Sequence, residues 1–291
     1  MRSRGSRVCG GVTVAIVIAV TAGLVDAQER RLRDAPIPHD VGQSVSASFE
    51  GWFENPDGTF SLSWGYFNRN YEERLDILVG PENRFDPGAI DRGQPTHFLT
   101  RRQTGLFTTV VPADFGNQVL TWTLVSGGET ISIPGHLRPE WAIDALMEAP
   151  SGNQPPVVRF DPSGATGQGP GGVRGSITSA FPDATLTVWA IDDMVQKMRE
   201  QQRRPDETEK TRAARFGIVW SKFRGPGTVT FSEVEPTIDE AGRVTTTATF
   251  SEPGEYELRV LAWDDTGPQA FVMAVGFQCC WTNGYLTVDV R

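Results

Sequence analysis

Two neighbouring stretches alternate apolar and polar side chains with a period of two, and that leaves the chain few folds. In Val244-Thr245-Thr246-Thr247-Ala248-Thr249-Phe250, the residues Val244, Thr246, Ala248 and Phe250 fall on one face. In the stretch 255–262, Tyr256, Leu258, Val260 and Ala262 share a face opposite Glu255, Glu257 and Arg259. Successive side chains of a strand point to opposite sides. The pattern therefore predicts antiparallel strands with one face in a core and threonine and charge facing water. Pro253-Gly254 sets a corner before the Tyr256 strand. A strand over 216–222 carries Trp220, which is expected to fill the space between two sheets. Leu286, Val288 and Val290 make a closing strand.

The same region resembles a known family. Val219-Trp220-Ser221-Lys222, then Gly225-Pro226-Gly227-Thr228-Val229-Thr230-Phe231, then 246–260 with its Ser251-Glu252-Pro253-Gly254-Glu255-Tyr256, look like PKD-type immunoglobulin-like domains. More narrowly, they resemble the variant found in receptor-for-egg-jelly proteins and many bacterial surface proteins. The resemblance covers about 155–291. It implies a two-sheet sandwich that serves as a spacer or binding module. The chain departs from the commonest pattern after the strand tryptophan, where Phe223-Arg224-Gly225-Pro226-Gly227 replaces an acidic glycine turn. A long charged insertion is a second departure.

The preceding block, 44–148, resembles no family but reads as strands too. Segments 45–53 and 59–67 flank Asn55-Pro56-Asp57-Gly58, a strong turn signal, and form a hairpin with Phe60, Leu62 and Trp64 on one face. Short strands at 75–79, 98–101, 106–111, 119–125 and 130–133 follow, and Pro139 opens one expected helix over 139–147. The fold class is therefore all-β: two antiparallel β-sandwich domains, 44–148 and 155–291, joined by a linker at 149–154. The second is immunoglobulin/PKD-like. Within it, 192–215 is a charged insertion expected to be solvated.

The N-terminus sets the address. Arg2, Arg4 and Arg7 precede an apolar run from Gly11 to Leu24, and Val25-Asp26-Ala27 fits a small-x-small cleavage site. The run is shorter than the roughly 20 residues that span a bilayer. Residues 1–27 are thus expected to be a cleaved signal peptide, and 28–43 a flexible arm. The protein is expected in the periplasm or outside the cell, with no stable membrane span. A net charge of −9 argues against nucleic acid as a partner.

No residue pattern names a reaction. His39, His97 and His136 have no metal-ligand spacing, and no GxSxG elbow or phosphate loop occurs. Cys9 leaves with the signal. The remaining cysteines, Cys279 and Cys280, are adjacent. Three readings stay open for them: a vicinal disulfide stiffening a loop, two free or intermolecular thiols, or a redox or metal role. Asp192-Asp193 and Asp264-Asp265 end two strands and are candidate calcium ligands. Otherwise no cofactor is expected. Immunoglobulin-like order puts the loops after the Thr185 and Tyr256 strands at one end. Asp192, Asp193, Asp264, Asp265 and Trp281 would then form a binding rim beside Cys279 and Cys280. The expected function is a non-catalytic binding or structural module of the cell envelope, with an envelope protein or glycan as partner. The alternative is a secreted hydrolase or accessory carbohydrate-binding protein.

Overall fold

The computed structural model describes residues 39–148, 152–192, 216–264 and 279–291. The expected signal peptide, most of the expected arm, and the bulk of the charged insertion lie outside them. The chain falls into two compact units, Met1–His39 and Asp40–Arg291, and every described strand belongs to the second. Among the described residues no helix is long and apolar enough to cross a membrane. The regular secondary structure of the described residues is nearly all strand, as expected.

The first eight strands are β1 (Val45–Glu54), β2 (Phe60–Asn68), β3 (Leu75–Asp76), β4 (Asn83–Asp86), β5 (His97–Phe98), β6 (Arg101–Val111), β7 (Leu120–Ser126) and β8 (Glu129–Gly135). Sheets β1-β2-β6 and β4-β7-β8 enclose one core, with β3-β5 as a separate pair. The predicted hairpin is present: Glu54 pairs with Phe60, and the Asn55 carbonyl accepts the Gly58 amide at 2.9 Å. Trp64, Trp122, Phe85 and Phe107 fill the core. Both of these indoles keep a hydrogen-bond partner, the usual arrangement for a buried tryptophan. Trp64 Nε1 donates to Thr109 Oγ1 and Trp122 Nε1 to Asn83 Oδ1, each at 2.9 Å.

The expected helix over 139–147 is not formed. Only Pro139–Trp141 makes a 3₁₀ turn. The chain then runs along the open edge of β1, where the Ile143 amide donates to the Trp52 carbonyl at 2.9 Å. An unpaired strand edge offers partners outright, and one turn after a proline has too few intrahelical bonds to compete. Asp40, Gly42 and Gln43, at the end of the expected arm, are tied to the loop after β2. The Asp40 carbonyl accepts from the Glu72 and Glu73 amides, Gly42 donates to Glu73, and Gln43 exchanges bonds with Asn70.

The second set is β9 (Val157–Arg159), β10 (Val173–Ser179), β11 (Asp183–Ile191), β12 (Gly217–Arg224), β13 (Val229–Phe231), β14 (Arg243–Phe250), β15 (Gly254–Trp263) and β16 (Trp281–Val290). One sheet has the order β13-β14-β11-β9, the other β10-β16-β15-β12. Apart from the parallel β10–β16 pair, neighbours are antiparallel. Reading β9, β11, β12, β13, β14, β15 and β16 as A to G gives sheets ABED and CFG, the immunoglobulin-like arrangement. Trp220 lies in the core between the sheets with Leu186, Val188, Leu258 and Leu286. Tyr256 turns its hydroxyl back to donate to the Glu252 carbonyl at 2.8 Å, which pins the Pro253-Gly254 corner. The alternation in β14 behaves as expected. Its one polar inward residue, Thr246, is satisfied by donating to the Glu233 carbonyl at 2.8 Å.

The outer face of the CFG sheet corrects the sequence reading. Arg259 does point away from its own core, but it is 4% exposed. Trp281, Asn283 and Tyr285 on β16 share that face and are equally buried, because β6 of the first sandwich covers it. Phe223 and Tyr285 belong to the first core rather than the second.

Candidate functional site

The joint between the sandwiches concentrates the unusual chemistry. Its pivot is Gly105 on β6, at φ +53°. The Trp281 indole lies against it, so closely that a Cβ at 105 would fall within the ring's contact distance. The Gly105 carbonyl accepts from Trp281 Nε1 at 3.1 Å and from Asn283 Nδ2 at 2.8 Å. Asn283 Oδ1 accepts from Arg259 Nε at 2.9 Å, and Tyr285 donates its hydroxyl to the Leu106 carbonyl at 2.7 Å. At the far side of the joint, Arg224 forks onto Asp91 at 2.7 and 2.9 Å and donates to the Gln94 carbonyl. The hydrogen bonds from Arg224 to Asp91, with the Gly93 amide and Arg224's charge, hold the Asp91 carboxyl below its ordinary value despite opposing partial burial.

On the other side of Gly105 lies Glu50. A bulge in β1 between Phe49 and Gly51 turns this carboxylate inward, and Gly65 on β2 leaves the room for it. Glu50 accepts from the Gly105 amide and, at 2.8 Å, from Arg102. Burial outweighs these bonds and pushes the carboxyl up to about 7. Burial also lowers the Arg259 guanidinium, against the raising influence of Tyr285, Tyr66 and Glu50.

This makes stability depend on pH. The folded state holds the Glu50 proton more tightly than the unfolded chain, whose value is near 4.5. Its contribution to stability is therefore present below that value and lost as pH rises through about 7. Between pH 5 and 8 wild type is expected to lose up to about 3 kcal/mol relative to Glu50→Gln. Urea melts of both proteins across that range would check it, and parallel curves would rule it out.

The residues singled out in the sequence separate into two groups. Trp281 is in the joint, not on an open rim. Asp264 is fully buried and accepts from Asn153 Nδ2 at 2.7 Å. Cys279 and Cys280 are disulfide-bonded to each other and buried, with their sulfurs 4.0 and 3.5 Å from the Asn153 carbonyl oxygen. Asn153 thus gathers Asp264, Cys279 and Cys280 at one end of the second sandwich. It lies in the stretch expected as a linker. Asp192 follows the last residue of β11 and is half-buried. Asp193 and Asp265 lie outside the described residues. Among the described residues no group of three or more His, Cys, Asp or Glu is placed to hold a metal ion. In the loop after β2, Tyr71 lies under the Arg101 guanidinium at 4.1 Å, which also covers Phe67.

Sequence reasoning missed a cleft of about 560 Å³ between the two sandwiches, lined by Arg74, Asp76 and His97 from one and by β12 and β13 from the other. Asp76 Oδ1 sits 2.8 Å from His97 Nδ1 and accepts from Lys222 Nζ at 3.3 Å. Partial burial works against the Asp76 charge, but these partners outweigh it and keep the carboxyl below its ordinary value. No spacing rule could have joined residues some 146 positions apart on separate sheets.

No protein-family model matches the chain, and comparison with curated proteins finds no relative. Among solved structures it is similar to the D0-D1 domains of intimin (10% identity over 85% of this chain and 98% of that one, TM-score 0.23). It is also similar to domains 4 and 5 of the S-layer protein SbsC (13%, 85% and 98%, TM-score 0.21). A third is the Yersinia pseudotuberculosis adhesin InvE (13%, 86% and 59%, TM-score 0.22). Likeness at these scores supports no inference, and the immunoglobulin-like assignment rests on strand order and register alone.

Proposed function

We propose that this chain is an exported, non-catalytic module of the cell envelope, built to hold two sandwiches in a fixed relation and present their surfaces to a partner. The observation that carries this reading is the joint. A sheet face that normally meets water is instead buried under a second sandwich through Trp281, Asn283, Tyr285 and Arg224. Such a polar, well-packed seam resists the hinge motion that is the default between domains. We read 44–148 and 155–291 as the two domains, and the second as PKD-type, on its buried Trp220 and its Pro253-Gly254 corner. Export is supported by the leader-like sequence of 1–27 and by a disulfide, which persists in oxidising compartments.

The test is fractionation of cells expressing the full chain with a C-terminal tag. Mature protein beginning at Gln28 should be recovered with the envelope or periplasm, and alkylation without reduction should leave Cys279 and Cys280 unmodified. Recovery of the intact leader in the cytoplasm, or two alkylated thiols, would overturn the reading.

A further inference from the structure

The cleft between the sandwiches is bounded by the edge strands of two sheets, β13 and β12, of which the β13 edge is open. β13 pairs only with β14. The Ser232 amide donates to the Thr247 carbonyl, the Ser251 amide donates to the Thr228 carbonyl, and the Phe250 amide donates away from β13 to Pro182. These bonds fix the alternation: Thr228, Thr230 and Ser232 face β14, so the amides and carbonyls of Val229 and Phe231 face outward. No backbone bond from another segment reaches them among the described residues. Across the cleft, β12 is the last strand of its sheet. Its outward backbone groups are already taken at Trp220, whose amide donates to the Val234 carbonyl at 2.9 Å, and at Phe223, whose carbonyl accepts from the Thr96 amide at 3.1 Å.

The charge of the lining is uneven. Asp76 is already met by Lys222 and His97, and Lys222 also donates to the Gly227 carbonyl at 2.6 Å. Arg74 is exposed and makes no ion pair among the described residues, which leaves one uncompensated cation at the mouth. Val229 and Phe231 are half-buried, and Val234 is 48% exposed at the lip.

We propose that this cleft takes up an extended peptide segment of a partner protein, added as a strand to the β13 edge, with an acidic side chain of the peptide on Arg74. Backbone bonds to Val229 and Phe231 would provide the grip, and the charge would provide the selection. This deepens the binding-module reading and rests on it. It is tested on purified protein, so its failure is distinct from a failure of export.

The probe is a pair of capped hexapeptides, Val-Thr-Val-Glu-Val-Thr and its Glu-to-Lys counterpart, titrated into the ¹⁵N-labelled chain. The acidic peptide should shift the Val229 and Phe231 amides and bind at least tenfold more tightly than the basic one. Val229→Pro removes a donor the fold does not use, and should weaken binding roughly tenfold. Arg74→Glu, at an exposed side chain, should reverse the preference between the two peptides without lowering the melting temperature. Equal binding of both peptides, no shift at Val229 and Phe231 at millimolar peptide, or binding indifferent to Arg74→Glu would overturn the proposal. So would self-association of the chain through this edge that the peptide does not compete away.

Discussion

Replacing Gly105 by alanine is expected to lower the melting temperature of the whole chain by on the order of 10 °C. Three costs fall on one methyl group. Residue 105 has φ +53°, where an L side chain is strained by about 1–2 kcal/mol. The new Cβ meets the Trp281 ring, and overpacking typically costs about 1–3 kcal/mol. Shifting the indole also strains two hydrogen bonds to the Gly105 carbonyl, each worth about 1 kcal/mol. The sum, about 4–7 kcal/mol if both bonds are lost, is a large part of the stability of an ordinary protein. The joint origin of the loss can be isolated. Trp281→Ala is itself costly, but the double variant should be less destabilised than the two single losses added, because the alanine then has nothing to strike. An additive pair would place the damage elsewhere.

The second large effect is in the core of the second sandwich. Trp220 is 1% exposed, and Trp220→Ala is expected to cost about 3–5 kcal/mol. Its indole N–H has no hydrogen-bond partner among the described residues. Trp220→Phe should therefore lose only volume, about 1–2 kcal/mol. Denaturant melts of the two variants would show the gap. Equal losses would mean that the nitrogen matters, and a negligible loss for alanine would remove Trp220 from the space between the sheets.

Strands whose one face meets water are legible in the sequence. The bounds of β14 follow from it nearly to the residue, because alternation reports burial on a single side. Where the second face is also buried, the pattern fails. Residues 281–285 carry no clean alternation, since Trp281, Asn283 and Tyr285 are claimed by the joint while Thr282 and Gly284 face the core side. Their sequence suggests loop and rim rather than strand. Arg259 misleads in the same way: a charge on an outward position says "solvent" unless another domain is known to cover it. β10 escapes detection because its Val173 and Ile177 follow a glycine- and proline-rich stretch, and because it pairs in parallel with a strand about 110 residues away. Of the candidate residues, the sequence can gather Cys279, Cys280 and Asp264 near one end of a sandwich. The gathering residue, Asn153, and the cleft around Asp76 come from other parts of the chain.

The pairing of β16 has a consequence for how the chain reaches this state. One strand closes the CFG sheet, meets β10 at Val173–Gly284, and supplies the Trp281 and Asn283 contacts to Gly105 some 176 and 178 positions earlier. Contacts of such sequence separation are slow to form, because loop entropy is lost before the contacts offset it. The first sandwich must therefore wait, with its joint surface bare, until β16 has been made and placed. Until then the joint contacts of Gly105 and Leu106 are expected to be unmade, since their partners lie on β16.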